Sequence, residues 1–359
     1  MKPVYIVSWL FALAISFVSC DDWLDKTPKD RLYPDVYFKT EDELRLFTNQ
    51  FYNNLVPSAV DIYSESSDLI VKSDLMLEMS GQRIIPDEGN GWNFTALRDI
   101  NFYLQYSHNC TEVNVRNRYD GVARFFRAYF YFEKVKRYGD IPWYDKALDS
   151  DDPELYKARD SREFVMQKML EDLDFAIANL PKTKNAYVLT RWTALALKSR
   201  VCLFEGTFRK YHGLEDYEKY LNACVSASET FMNESGYTLY KSGSTPYRDL
   251  FASINLQADE VIFGRDYEAS LSVLHNVQNY ENSTTMGRPG MNKKIVNSYL
   301  MADGSRFTDK AGYETMTFEQ ECQNRDPRLA QTIRTPGYTR IGSTKKEAPN
   351  LAYTMTGYH

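Results

Sequence analysis

Cys20 is the first residue whose chemistry the sequence suggests. It follows an apolar run from Val4 to Val18 and is itself followed by two aspartates. One lysine near the start and an apolar stretch of roughly 15 residues fit a secretory signal and are too short for a membrane-spanning helix. We therefore expect cleavage after Ser19 and acylation of Cys20, because two or three acyl chains anchor a protein stably where one does not. Phe17 stands where such sites usually have an aliphatic residue, so an ordinary secretory signal cleaved nearby is the alternative.

Aromatic side chains in polar stretches form a second group. Tyr and Trp suit sugar binding because the flat ring stacks on the C–H face of a pyranose while polar groups bond its hydroxyls. Trp92 lies in a run of Gly, Asp and Asn between Asn90 and Asn93, and this composition predicts a shallow ligand-binding platform. Packing of Trp92 at the start of the following helix is the alternative. Further candidate ligand contacts lie in other polar segments: Tyr63, His275, Tyr280 and Arg288.

No pattern of catalytic or metal-binding residues stands out. The four histidines, His108, His212, His275 and His359, have no HExxH or other metal-ligand spacing. The sequence has no GxSxG, Walker or GxGxxG motif, so we expect no metal, no cofactor and no catalytic residue. A lipid-anchored hydrolase stays open as an alternative, because two glycosidase carboxylates need not be close in sequence.

Composition argues against two further classes. The 359 residues carry 43 Lys and Arg against 49 Asp and Glu, a formal charge of −6, so we do not expect nucleic acid as a partner. No apolar run after Cys20 reaches the roughly 20 residues of a spanning helix. The remaining cysteines, Cys110, Cys202, Cys224 and Cys322, show no CxxC spacing. Cys202 and Cys224 fall on consecutive predicted helices, where they form either a disulfide or buried free thiols.

The apolar pattern predicts a mainly α chain. A capping box at Thr40–Glu43 opens a helix that ends at Pro57. Further helices are expected over 94–106, 119–137, 164–180 behind a second capping box at Asp160–Glu163, 190–206, and 217–231 with a glycine stop at Gly236. Residues 57–91 and 269–290 are expected to be loops, and 259–263 a short strand. Hairpins of amphipathic helices suggest a tetratricopeptide-like array.

The helix predicted over 119–137 is the most apolar of the chain. Its apolar residues occupy two faces, so we expect it to be contacted on two sides in the middle of the stack. Tyrosines 119, 129 and 131 are expected to fill helix interfaces. Arg124 and Arg127 recur with the aromatic pattern of this helix, and we interpret them as structural residues paired with nearby Asp or Glu.

Six segments, spread over nearly the whole chain, resemble the SusD/RagB family of starch-binding-like outer-membrane lipoproteins. The most specific is the helix Ala123–Phe132, rich in arginine and aromatic residues, followed by the Tyr-Gly-Asp-Ile-Pro run at 138–142. The segment Arg325–Leu329, which contains Arg-Asp-Pro-Arg, is next. The others are Cys20–Asp25, Thr193–Leu203, Glu260–Phe263 and Tyr299–Gly304.

The resemblance implies a signal peptide over residues 1–19 and, over 20–359, tetratricopeptide-like helical pairs with a loop-rich, irregular ligand-binding region. It also implies a lipid-anchored, surface-exposed outer-membrane protein that captures a carbohydrate and delivers it to a SusC-like TonB-dependent transporter without doing chemistry. Capture of a peptide is the runner-up, and a purely structural assembly protein is a third possibility. Proteins of this kind are longer, so the sequence resembles an N-terminal portion. An end at His359 would leave an apolar helical face uncovered.

Overall fold

Helices dominate the computed structural model, which describes residues 34–57, 69–71, 77–85, 91–275, 290–339 and 344. The α-helices are α1 (Glu41–Leu55), α2 (Leu77–Ser80), α3 (Thr95–Tyr106), α4 (Val113–Tyr138), α5 (Arg162–Asn179), α6 (Arg191–Tyr211), α7 (Tyr217–Glu234), α8 (Pro246–Ala252), α9 (Lys293–Ser298), α10 (Phe318–Glu321) and α11 (Pro327–Thr332). Short 3-10 turns lie at Pro34–Val36, Ser107–Asn109, Pro153–Tyr156, Ala269–Leu271, Phe307–Asp309 and Tyr313–Thr315. Strands β1 (Ile70–Val71) and β2 (Gly290–Met291) pair antiparallel. The predicted mainly α fold is confirmed.

Side-chain caps set where α1 and α6 begin. The Glu43 N–H donates to the Thr40 hydroxyl at 3.4 Å, and the Thr40 N–H donates to the Glu43 carboxylate at 3.1 Å. Thr190 and Thr193 make the same reciprocal arrangement at the start of α6. These bonds satisfy backbone donors that the first turn of a helix leaves without partners. Both predicted starts are confirmed.

The capping box predicted at Asp160–Glu163 is wrong. Ser161 caps α5 by accepting a hydrogen bond from the Phe164 N–H at 3.3 Å. The Asp160 carboxylate accepts instead from the backbone N–H of Trp143 at 2.7 Å. Asp160 therefore orients the chain that follows α4 and does not cap α5.

The central helix α4 packs on two sides, as its two apolar faces predict. It lies against α1 and α3 on one side and against α5 on the other. Phe126 meets the ring of Tyr52 with centroids 5.0 Å apart, and Phe132 meets Phe204 at 5.5 Å. Tyr119 and Tyr131 are buried and Tyr129 is half-buried, as expected for helix interfaces. The helix begins six residues earlier than predicted, because its first turns are polar and carry no apolar period.

Consecutive helices pack in pairs, α4 on α5 and α6 on α7, and α5 joins the two pairs by packing on α6. The prediction that α6 ends at Gly206 is wrong, since the helix continues to Tyr211. A Cβ at Gly206 would lie 2.6 Å from Leu221 Cδ2 of α7. Gly206 therefore allows the close approach of two helices and does not end one. Gly236, with φ +67°, follows α7 as the predicted stop.

The predicted strand at 259–263 is also wrong. The Thr238 N–H donates to the Asp259 carbonyl, and the Gly264 N–H donates to the Ala186 carbonyl. The Val261 N–H turns back onto Gln257. These are single bonds to different neighbours, so no ladder forms.

Beyond α7 the structure consists of short helices and turns. Arg325, the first residue of the Arg-Asp-Pro-Arg motif, is buried and donates to three carbonyl oxygens, those of Glu321, Val296 and Tyr299, at 2.8–2.9 Å. Its guanidinium carbon lies 3.9 Å from the ring centroid of Phe307. One arginine thereby holds α9, α10 and the turn beside them together.

Cys202 and Cys224 are free thiols, which decides between the two alternatives. Cys202 is buried in α6, and burial raises the pKa of its thiol to about 12. A thiol with so high a pKa is almost wholly protonated at neutral pH and is a poor nucleophile.

Candidate ligand-binding cleft

Trp92 lies just before α3, beside the C-terminal end of α4. Its ring meets Phe94 and Tyr138 edge-on, with centroids 5.4 and 4.9 Å apart. The guanidinium carbon of Arg159 lies 4.9 Å from the ring centroid. Even so, 38% of Trp92 remains exposed. The packing predicted as the alternative is therefore present, and it leaves part of the ring open.

The last turns of α4 hold the backbone next to Trp92. The Lys134 ammonium donates to the Gly91 carbonyl and lies 4.9 Å from the ring centroid of Phe130. Burial lowers the pKa of Lys134, and the nearby Arg137 lowers it further. Gly91 has φ +88°, and a Cβ there would lie 3.1 Å from the Tyr138 hydroxyl oxygen. The glycine thus permits both the turn and the close approach to α4.

A cleft of about 370 Å³ opens beside Trp92. One wall is the face of α3 that carries Arg98 and Asn101, and the other is formed by residues 144–148 and the turn Pro153–Tyr156. The volume lies within the range of small-molecule sites in proteins. The side chains that line the cleft combine rings, aliphatic groups and a few polar ends: Trp92, Phe94, Thr95, Leu97, Arg98, Asn101, Tyr144, Lys146, Leu148 and Leu155.

Residues 141–148 run back along α3 because two of its side chains bind their carbonyls. The Asn101 amide donates to the carbonyls of Tyr144 and Lys146 at 2.8 and 3.2 Å. Arg98 Nε donates to the Leu148 carbonyl at 3.1 Å. These bonds satisfy carbonyls that would otherwise be buried without partners, and they fix the width of the cleft.

The outer wall is braced a second time. The Tyr144 hydroxyl donates to the Glu154 carbonyl at 3.1 Å, and the Tyr144 N–H donates to the Tyr131 hydroxyl at 2.6 Å. Burial raises the pKa of Tyr144. The Lys146 ammonium lies 2.9 Å from the Glu154 carboxylate and 3.4 Å from that of Asp152. The polar end of Lys146 is thus held at the rim.

A buried network connects the cleft to the core. Arg127 donates to both carboxylate oxygens of Asp172 at 2.7 Å and to the Asn101 side-chain oxygen at 3.3 Å. Arg124 lies 3.9 Å from the same Asp172 and packs over Phe175. The structural interpretation of Arg124 and Arg127 is confirmed. Asn101 therefore uses its oxygen toward the core and its amide toward the cleft wall.

The other predicted ligand contacts do not gather at this cleft. Asn93 accepts a hydrogen bond from the Thr95 N–H at 2.8 Å and so helps to start α3. His275 is exposed, its ring meets that of Tyr267 at 4.8 Å, and it does not line the cleft. The remaining predicted site residues lie outside the described residues: Cys20, Tyr63, Asn90, Tyr280 and Arg288.

Among the residues that line the cleft, the sequence predicts only Trp92 as a ligand contact. Arg98 and Asn101 share one face of α3, and a polar pair at this spacing on an amphipathic helix is a usable signal. Tyr144 and Lys146 follow the Gly-Asp-Ile-Pro break, and only the fold shows that this segment returns to α3.

The described ranges offer neither a metal site nor a membrane-spanning helix. They contain no group of three or more His, Cys, Asp and Glu side chains placed to hold a metal ion. Within the same ranges, no helix has both the length and the apolar character needed to cross a membrane.

Comparison with protein families decides the relationship. A SusD-like family model described as "Starch-binding associating with outer membrane" matches residues 81–191, and a SusD family model matches residues 226–359. Together they span about two thirds of the sequence. The chain belongs to the SusD-like proteins. The first match contains the whole Trp92 cleft, and the second contains the Arg-Asp-Pro-Arg motif.

Curated and solved SusD-like proteins agree with this assignment. Two SusD-like proteins of Formosa agariphila are 24% and 26% identical, over 70% and 76% of this chain and 50% and 55% of their own lengths. The SusD-like chain therefore spans about half the length of the curated relatives it matches. A SusD-like protein of Bacteroides fragilis has the same fold, with a TM-score of 0.68 and 22% identity over 87% of this chain and 64% of its own. A second B. fragilis protein, named a SusD-like carbohydrate binding protein, has a TM-score of 0.68 and 17% identity over 88% of this chain and 63% of its own.

Proposed function

We propose that this SusD-like chain captures a glycan at the Trp92 cleft. The observation that carries the proposal is a half-exposed indole beside a cleft whose walls present both rings and fixed polar groups. Such a surface suits a sugar, which offers a C–H face for the ring and hydroxyls for the polar groups. The family description and the name of the second B. fragilis protein support the same ligand class.

The wider role we propose is that of a lipid-anchored receptor, with residues 1–19 as signal peptide and Cys20 as the acylated residue. The receptor sits on the outer membrane and passes its glycan to a SusC-like TonB-dependent transporter. Support comes from the sequence around Cys20 and from the family description, which names association with the outer membrane. Metabolic labelling with palmitate, compared between the full chain and Cys20→Ala, tests the anchor. Labelling that survives the substitution would contradict it.

The role of this chain is binding and not cleavage. In the described residues, no Asp or Glu side chain lines the Trp92 cleft itself, and its polar groups Arg98, Asn101 and Lys146 are tied to backbone carbonyls or to ion pairs. A glycosidase needs two carboxyl groups on opposite sides of the bond it breaks. We therefore expect the bound glycan to be recovered intact.

The deciding experiment is affinity electrophoresis of the chain, expressed without its first 20 residues, in gels that contain starch, laminarin, xylan or pectin. Starch comes first because the family description names it. Retarded migration in at least one gel, with no shorter products on chromatography of the glycan, is the expected result. Unchanged migration in every gel would contradict glycan capture. Product formation would show that the chain is an enzyme.

A further inference from the structure

A second cleft, of about 530 Å³, lies next to the Trp92 cleft. We call it the charged cleft, since its polar lining residues are Gln105, Asp120, Arg124, Arg127, Asp145 and Lys146. A ligand role for the charged cleft rests on the proposed function, because this cleft enlarges the same binding surface. The two clefts share Lys146, which lines both of them.

Helix α3 runs along both clefts. Arg98 and Asn101 line the Trp92 cleft and Gln105 lines the charged cleft. Positions 98, 101 and 105 are three and four residues apart, so they fall on one face of the helix. Asn101 is buried under the backbone of Tyr144 and Lys146, so the two clefts meet over Lys146. At a rise of 1.5 Å per residue, Thr95 and Gln105 are separated by roughly 15 Å along the axis. That length exceeds a single sugar ring.

The charges of the second cleft nearly balance. Arg127 is neutralised by its bidentate pair with Asp172. Lys146 is paired with Glu154 and Asp152, and Arg124 lies 3.9 Å from Asp172, so each cation of the cleft has an acidic neighbour. A balanced set of charged donors and acceptors suits the hydroxyl groups of a neutral sugar, because each carboxylate accepts and each cation donates hydrogen bonds. It does not favour an anion.

Several polar groups of the charged cleft keep bonding capacity. Within the described residues, Arg124 Nε is buried without a hydrogen-bond partner, whereas the Asp120 carboxylate faces Tyr103 and Ser107. In that same part of the chain, the exposed side chains of Gln105 and Asp145 make neither a hydrogen bond nor an ion pair. Buried polar atoms without partners are uncommon in folded proteins, and Arg124 Nε lies in the same cleft as the two exposed polar side chains.

We propose that the two clefts form one continuous surface for an extended, neutral oligosaccharide. The chain of sugars passes over Lys146, with one unit on Trp92 and later units bonded by Gln105, Arg124 and Asp145. Affinity then depends on the length of the glycan, and each end of the ligand depends on different side chains.

Calorimetric titration with size-defined ladders tests this proposal. The ladders are malto-oligosaccharides of two to seven units and matched ladders cut from any other polysaccharide that the affinity gels retain. Affinity is expected to rise about tenfold or more from the shortest to the longest member. Gln105→Ala/Asp145→Ala is expected to weaken the longest member about tenfold and to leave the shortest unchanged, while Trp92→Ala weakens both.

The matched control is Asn222→Ala/Glu229→Ala, which removes an exposed amide and an exposed carboxylate from α7, away from both clefts. It is expected to bind every member like the parent chain, and melting curves of all variants check folding. Binding that does not change with length, or that the Gln105 and Asp145 substitutions leave intact, overturns the continuous surface while glycan capture stands. Failure of every ladder and every gel overturns both.

Discussion

Asp172 of α5 is buried and compensates two arginines of α4 at once. Asp172→Leu leaves Arg127 buried without its partner, and we expect the free energy of unfolding to fall by about 3–5 kcal/mol. Urea denaturation monitored by circular dichroism measures the change. The double variant Arg127→Met/Asp172→Leu removes both charges and is expected to lose less. A double variant as unstable as the single one would contradict this account of the pair.

Trp92 offers a second test at the level of one side chain. Trp92→Ala is expected to weaken glycan binding by about 1–2 kcal/mol, roughly tenfold, because stacking is lost. Calorimetry on the ligand that the gels identify measures the change. Tyr211→Ala is the matched control, since this ring is 80% exposed on α6 and lies outside the cleft. Equal losses from both variants would remove Trp92 from the site.

Asp120 connects stability to pH. It faces Tyr103 and Ser107 from α3 and the turn after it, and Arg116 and Arg124 from its own helix; burial raises its pKa. A carboxyl whose folded pKa exceeds its unfolded value of about 3.9 holds its proton longer when folded, so stability falls as pH rises between the two values. Asp120→Asn is therefore expected to be more stable than the parent at pH 7, with the difference shrinking toward pH 4. A gain that is the same at both pH values would contradict the assignment.

Single residues were only partly predictable. The ion pairing of Arg124 and Arg127 followed from their recurrence on an apolar helix, since buried cations need partners. The roles of Tyr144 and Lys146 did not, because their place depends on a chain reversal fixed by Asn101, more than 40 positions away. The residues that neighbour Tyr144 and Lys146 in the sequence do not indicate their contact with Asn101.

At the level of elements, the close packing of α6 on α7 depends on a glycine, Gly206, at their contact. Gly206→Ala places a Cβ against Leu221, which we expect to cost about 1–3 kcal/mol despite the better helix propensity of alanine. Thermal melting measures the loss. Gly206→Ala/Leu221→Ala makes room again and is expected to recover part of it. A stabilised single variant would show that the helices can move apart freely.

The capped helix starts at Thr40 and Thr190 were predicted, whereas the early start of α4 and the end of α6 were not. Thr40 and Thr190 form caps that involve neighbours three residues away, so a short window contains all the information. Gly206 is of the residue type that often ends a helix. Only the position of α7 shows that this glycine allows α6 and α7 to pack closely. The strand expected at 259–263 failed for the related reason that a strand requires a partner strand.

For the whole molecule, the described helices predict an order of opening. Helix α4 is covered by α1, α3 and α5, whereas α8 and α9 contain no buried residue. In native-state hydrogen exchange we expect the amides of α4 to exchange slowest and those of α8 and α9 faster by orders of magnitude, because exchange follows local opening. Mass spectrometry of peptic fragments measures this. Uniform protection across these helices would mean that the molecule opens as a single unit.

The architecture as a whole was the most predictable level. Periodicity and caps indicated the helices, and the motifs indicated how they are arranged, since many positions contribute to each inference. The cleft was the least predictable, because it arises where α3, α4 and a returning segment meet.

The attachment of Gly91 to Lys134 has a thermodynamic consequence for capture. The indole next to Gly91 packs on the end of α4, and α4 has helices on two sides. The orientation of the ring is therefore fixed before a ligand binds. Ligand binding then costs the protein little conformational entropy. A receptor built in this way is expected to gain affinity by adding sugar contacts along a fixed surface, and not by closing around its ligand.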